Sequence, residues 1–87
     1  MADVYGISIS ANPNPASSWV AFNYALRDEK SKAVIEVSDV AGRVVASLNV
    51  QGKQGQKGLD TREIHAGAYI YTLKTEGFVK SGKLIIN

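Results

Sequence analysis

The chain contains no cysteine, so neither a disulfide framework nor a thiolate metal site can form. That leaves the compartment open, because exported bacterial domains commonly do without disulfides. Histidine occurs once, at His65. Zinc sites recruit several His, Cys or carboxylate ligands, and Glu63 is the nearest carboxylate and stands alone. No apolar run approaches the roughly 20 residues of a membrane helix. The opening M-A-D-V lacks the basic start and apolar core of a signal peptide. Charge of one sign does not dominate, and a net charge of +2 is too mild to imply nucleic acid.

The same poverty extends to catalytic patterns. No G-x-S-x-G elbow occurs. Asp28 and Glu29 are adjacent, so on a turn or strand they diverge instead of facing each other as a hydrolytic pair. No calcium loop of the D-x-[DN]-x-[DN]-G type is present. Residues 51–58 read Q-G-K-Q-G-Q-K-G. A phosphate loop needs G-x-x-x-x-G-K-[ST] ahead of a helix; here the glycines stand three apart and no Lys-Ser/Thr pair follows. The expectation is a chain without enzymatic activity, cofactor or metal.

What remains is strand-forming sequence. The 87 residues are 45% apolar, which suits one small globular domain. A chain this short buries only about 60% of its unfolded surface. Residues 1–50 carry four basic against five acidic side chains, and residues 51–87 carry six against three. The basic residues of the second part, among them Lys74, Lys80 and Lys83, read as solubilising and edge-protecting charges.

Taken in order, residues 4–10 alternate, with Tyr5, Ile7 and Ile9 on one face, and predict a strand. Asn12-Pro13-Asn14-Pro15 follows as a rigid connection, since neither proline donates to a ladder. Residues 17–26 predict a second strand, with Val20, Phe22, Tyr24 and Leu26 facing one way and Trp19, Ala21 and Asn23 the other. The charged residues 27–32 read as a solvated turn. Residues 33–38 predict a third strand with Ala33, Ile35 and Val37 inward. Asp39 and Gly42 then fit a type I turn closed by a G1 bulge. The return strand, residues 44–50, is expected to place Val44, Ala46, Leu48 and Val50 on one face. Residues 51–58 read as a flexible loop and residues 59–63 as a short strand.

Residues 67–87 are the most informative stretch. Two runs rich in Tyr, Ile, Thr, Leu and Val, residues 68–75 and 78–86, flank Glu76-Gly77 and predict a β-hairpin. Its last strand runs to the end of the chain, and so is either a closing strand or an address. Seven strands without an amphipathic helix predict an all-β, immunoglobulin-like antiparallel β-sandwich, though without the Cys…Trp…Cys pattern of antibody domains.

Four short motifs, in order, resemble the C-terminal sorting domain of the type IX (Por) secretion system of Bacteroidetes, type A. They are Pro13-Asn14-Pro15-Ala16 after the first strand, Asp39-x-x-Gly42-Arg43-x-Val45, Ile64-x-x-Gly67-x-Tyr69, and the terminal Lys83-Leu84-Ile85-Ile86. The chain ends in Asn87 where members often carry a basic residue, and has Ile64 where Leu is usual. The resemblance implies a secretion signal at the end of a cargo protein. Such cargo crosses the periplasm, meets an outer-membrane translocon and its shuttle, and is released by a sortase-like peptidase that cuts upstream of the domain. It is then commonly attached at the cell surface or secreted.

On that footing residues 1–87 are expected to be a single domain excised from a longer secreted protein, with residues 1–3 as linker or start residues. Its partners would be the translocon, shuttle and peptidase, together with cargo fused N-terminally. Nucleic-acid binding and membrane insertion are not expected, and the state would be a monomer or weak dimer. Translocon recognition is expected at Lys83, Leu84, Ile85, Ile86 and Asn87, by pairing with the strand edge or by grip on the terminal side chains. Pro13, Pro15, Gly42 and Gly67 are read as fold determinants. Two alternatives stand beside this. One is an adhesive or carbohydrate-binding module with Trp19, Tyr5, Tyr69 and Tyr71 as its aromatic platform. The other is an uncleaved anchoring or signalling domain of a secretion-machinery component.

Overall fold

A computed structural model describes residues 6–87. Seven strands follow one another: β1 (Ser8–Asn12), β2 (Trp19–Ala25), β3 (Lys32–Asp39), β4 (Val44–Gln51), β5 (Gln54–Asp60), β6 (Gly67–Thr75) and β7 (Phe78–Ile86). They form a three-stranded sheet, β1-β2-β5, and a four-stranded sheet, β4-β3-β6-β7. Every strand pair is antiparallel, and the two sheets pack as an all-β sandwich. Constant-type immunoglobulin domains keep the fourth strand beside the fifth. Here the tight turn after Asp39 folds β4 straight back onto β3 instead.

Alternation explains the core. Val20 and Phe22 of β2 face Ile35 and Val37 of β3, Tyr71 and Leu73 of β6, and Leu84 and Ile86 of β7, all buried. Burying one such side chain is worth about 1.5–3 kcal/mol. The Phe22 and Tyr71 rings meet between the sheets with centroids 5.5 Å apart and planes tilted by 55°. Tyr71 also lies over Gly82, its registered partner on β7, where a Cβ would overlap the tyrosine ring.

Three expectations need correction. Residues 51–58 are not a flexible loop, because β5 begins at Gln54, and residues 61–63 are not strand. The β5 sequence hides its strand character because this edge strand turns almost no side chain inward. Its Gly55 sits opposite Tyr24, and a Cβ there would come 2.6 Å from the Tyr24 hydroxyl. The aromatic ring thus fills the space that a β5 side chain would take. Chain direction changes at Thr61, which is buried and whose N–H donates to the Ser18 carbonyl at 3.0 Å.

The second correction concerns Val44. A register shift pairs Val37 with Ala46 but Ser38 with Val44. The extra β4 residue is a bulge, which sends Val44 to the outer face, where it is 47% exposed. Third, the first strand starts at Ser8, and Ile7 and Ala11 are buried. The expectation for Val4 and Tyr5 lies outside the described residues.

Candidate recognition site at the end of the last strand

The four sequence motifs meet at one end of the four-stranded sheet. Asp39 is registered with Tyr69 across β3 and β6, and Tyr69 with Leu84 across β6 and β7. Gly67, at the start of β6, pairs with Ile86 near the end of β7. The Pro13–Ala16 segment reaches the same place from the other sheet, through a parallel bridge between Ala16 and Ile86.

Each motif has a local structural reason. In the turn after Asp39, the Gly42 N–H donates to the Asp39 carbonyl at 3.0 Å. Gly42 adopts φ +88°, a conformation that a Cβ resists. The Asp39 carboxylate accepts the N–H groups of Ala41 at 3.0 Å and Arg43 at 2.9 Å. That Arg43 N–H, joined by its guanidinium and by Ala41, holds the Asp39 carboxyl below its ordinary range. This is the expected type I turn with its bulge. At the other motif, the Tyr69 hydroxyl donates to the His65 carbonyl at 2.5 Å. The bond pins the loop ahead of β6 as a tyrosine corner does in related sandwiches.

The last residues of β7 divide by strand period. Leu84 and Ile86 are fully buried between the sheets, whereas Lys83 and Asn87 are exposed and Ile85 is half-buried. Of the recognition residues expected from sequence, then, only Lys83, Ile85 and Asn87 present side chains outward. Lys83 is registered with Ile70, and Ile70 with Ser38, so Lys83 shares the outer sheet face with Ile70 and Ser38.

The outward backbone edge of this segment is already paired. The Asn14 side-chain amide donates to the Lys83 carbonyl at 2.8 Å, and its oxygen accepts the Ile85 N–H at 3.0 Å. Two residues on, the Ala16 N–H donates to the Ile85 carbonyl at 2.8 Å, and the Asn87 N–H donates to the Ala16 carbonyl at 2.8 Å. An Asn side chain carries one donor and one acceptor group, like a peptide unit. Asn14 therefore imitates a strand residue where the flanking prolines cannot donate. Ala16 is fully buried beneath the contact. Both Asn12-Pro13 and Asn14-Pro15 peptide bonds are cis. Reading the sequence motif by motif did not reveal this clasp. Its one local signal is an Asn between two prolines, and its partner lies 71 positions away.

Among the described residues the aromatic platform of the adhesive alternative does not assemble. Tyr69 and Tyr71 are buried, and Tyr5 lies outside the described residues. Trp19 is 54% exposed, at the edge of a shallow hollow bordered by Leu59, Asp60 and Arg62. There the Arg62 guanidinium, 2.7 Å from the carboxylate, lowers the Asp60 pKa to about 2. Among the described residues no group of His, Asp and Glu is arranged to hold a metal ion.

A family model described as the secretion system C-terminal sorting domain matches residues 10–87. No curated protein matches the chain.

Proposed function

The chain belongs to the family of secretion system C-terminal sorting domains, and from that premise we propose that the outward residues at the end of β7 are the part its export machinery reads. It is a type IX secretion sorting signal, a class that directs export to the cell surface or into the medium, and its family is not an enzyme family. In our reading the domain rides at the C-terminal side of a cargo, passes through the periplasm folded, and is taken up by the outer-membrane translocon. A sortase-like peptidase then cuts ahead of the domain, and the cargo is attached or released.

The observation that carries the recognition step is the division of residues 83–87. Leu84 and Ile86 are buried, so a partner meeting the folded domain can touch only the side chains of Lys83, Ile85 and Asn87. These lie where the four motifs of the chain converge.

The test is a periplasmically exported reporter fused ahead of residues 1–87 in a type IX-competent cell. The unchanged domain should bring the reporter to the surface, with cleavage near the junction. A triple variant, Lys83→Glu, Ile85→Ser and Asn87→Asp, should melt near the original temperature yet leave the reporter in the periplasm. Surface delivery of that variant at the original level would show that the address lies elsewhere.

A further inference from the structure

We propose that the machinery reads the end of β7 in its clasped form, and that Asn14 is the positioning residue that sets this form. The inference rests on the sorting reading above and specifies the shape of what is recognised. A receptor that added a strand to β7 at Lys83 and Ile85 would need the outward N–H and C=O groups of that edge. The four from the Lys83 carbonyl to the Asn87 N–H are already engaged. Asn14 takes the Lys83 carbonyl and the Ile85 N–H, and Ala16 takes the Ile85 carbonyl and the Asn87 N–H.

Opening this edge is unfavourable for two reasons. Ala16 and Ile86 are buried against each other's segments, so withdrawal of residues 13–16 exposes core. Asn14 also has nothing to gain in place of its paired contacts except water. The closed edge therefore excludes strand addition at these positions and leaves the side chains of Lys83, Ile85 and Asn87 as the readable surface. The same contacts fix their direction. With both neighbours bonded, the end of β7 behaves as an interior strand, and its side chains hold the alternation of the sheet instead of fraying. The partner this fits is a protein surface that docks side-on over the outer face of the four-stranded sheet. It would pack on Ile85 and offer an acidic group to Lys83.

Asn14→Ala removes both side-chain bonds and keeps the backbone contacts of Ala16. Amide exchange at Ile85 should quicken about tenfold, the scale of one net hydrogen bond. Reporter export should fall several-fold. Asn14→Asp keeps the acceptor for Ile85 but sets a second, charged oxygen against the Lys83 carbonyl, and should lower export at least as far as Asn14→Ala. Val37→Ala, in the core and away from the clasp, serves as the comparison for stability alone. If it lowers the melting temperature as far as Asn14→Ala while keeping export, the loss belongs to the clasp. Equal losses from both variants would overturn the proposal, as would unchanged export with a fast-exchanging Ile85 amide. Raised export in Asn14→Ala would point to the open edge as the element read. Failure of the unchanged domain to export its reporter would instead sink the sorting reading and leave the clasp as plain architecture.

Discussion

Removing residues 83–87 should unfold the domain rather than silence an otherwise intact signal. The deletion takes away Leu84 and Ile86, which are 0% and 1% exposed. Losing a buried Leu or Ile side chain costs about 2–5 kcal/mol. It also removes the four hydrogen bonds of the clasp, each worth about 0.5–1.5 kcal/mol net. Small domains hold roughly 0.05–0.15 kcal/mol per residue, so on the order of 4–13 kcal/mol for this chain. The deletion thus removes an amount comparable to the whole stability. It further leaves Ala16 and the start of β6 without their partners. The assay is a thermal melt of residues 1–82 followed by circular dichroism, with amide dispersion in a proton–nitrogen NMR spectrum. We expect no cooperative transition and collapsed dispersion. A cooperative melt within a few degrees of the full chain would refute the argument, because Leu84 and Ile86 could then not be core residues of consequence.

Three further outcomes follow from the same packing. Gly82→Ala puts a methyl into the Tyr71 ring, which is itself held between Phe22 and β7, so overpacking should cost about 1–3 kcal/mol in a denaturant melt; Gly55→Ala should cost less, because the half-buried Tyr24 can swing outward. Tyr69→Phe leaves the His65 carbonyl without its donor, and a loss of about 1 kcal/mol would lower the melting temperature by about 4–8 °C in a domain this small. The Asp60 carboxyl, with a pKa of about 2 in the fold against about 3.9 in an unfolded chain, stabilises the fold fully above pH ~4, and that contribution is lost as pH falls through about 2. An NMR titration of Arg62→Gln should return the Asp60 pKa upward.

Much of the architecture can be read from the chain because it rests on period-two alternation. Ala33, Ile35 and Val37 stand inward as their spacing requires, and the turns at Asp39–Gly42 and Glu76–Gly77 carry glycines with positive φ. The failures have physical causes. In β5 the strand signal is carried by its partner, since Tyr24 supplies the bulk that Gly55 lacks. In β4 a single extra residue reverses the facing of Val44, and nothing in the V-V-A-S-L-N-V run marks where that residue goes. Periodicity within a segment is legible; compensation between segments is not.

The proposed recognition site shows the same division at higher resolution. Sequence reading selects residues 83–87 as one unit, but the fold splits them by side. Leu84 and Ile86 serve the core and Lys83, Ile85 and Asn87 face out. Substitutions at Leu84 or Ile86 must lower export through stability whether or not a partner touches them, so they carry no information about recognition. Only the outward three, and Asn14 behind them, can separate address from architecture. The P-N-P-A and K-L-I-I motifs, which look like independent matches along the chain, meet in the fold as two halves of one contact. A change in either half is therefore a change in both, and double substitutions across the clasp should be non-additive, as neighbouring residues in one hydrogen-bond network are.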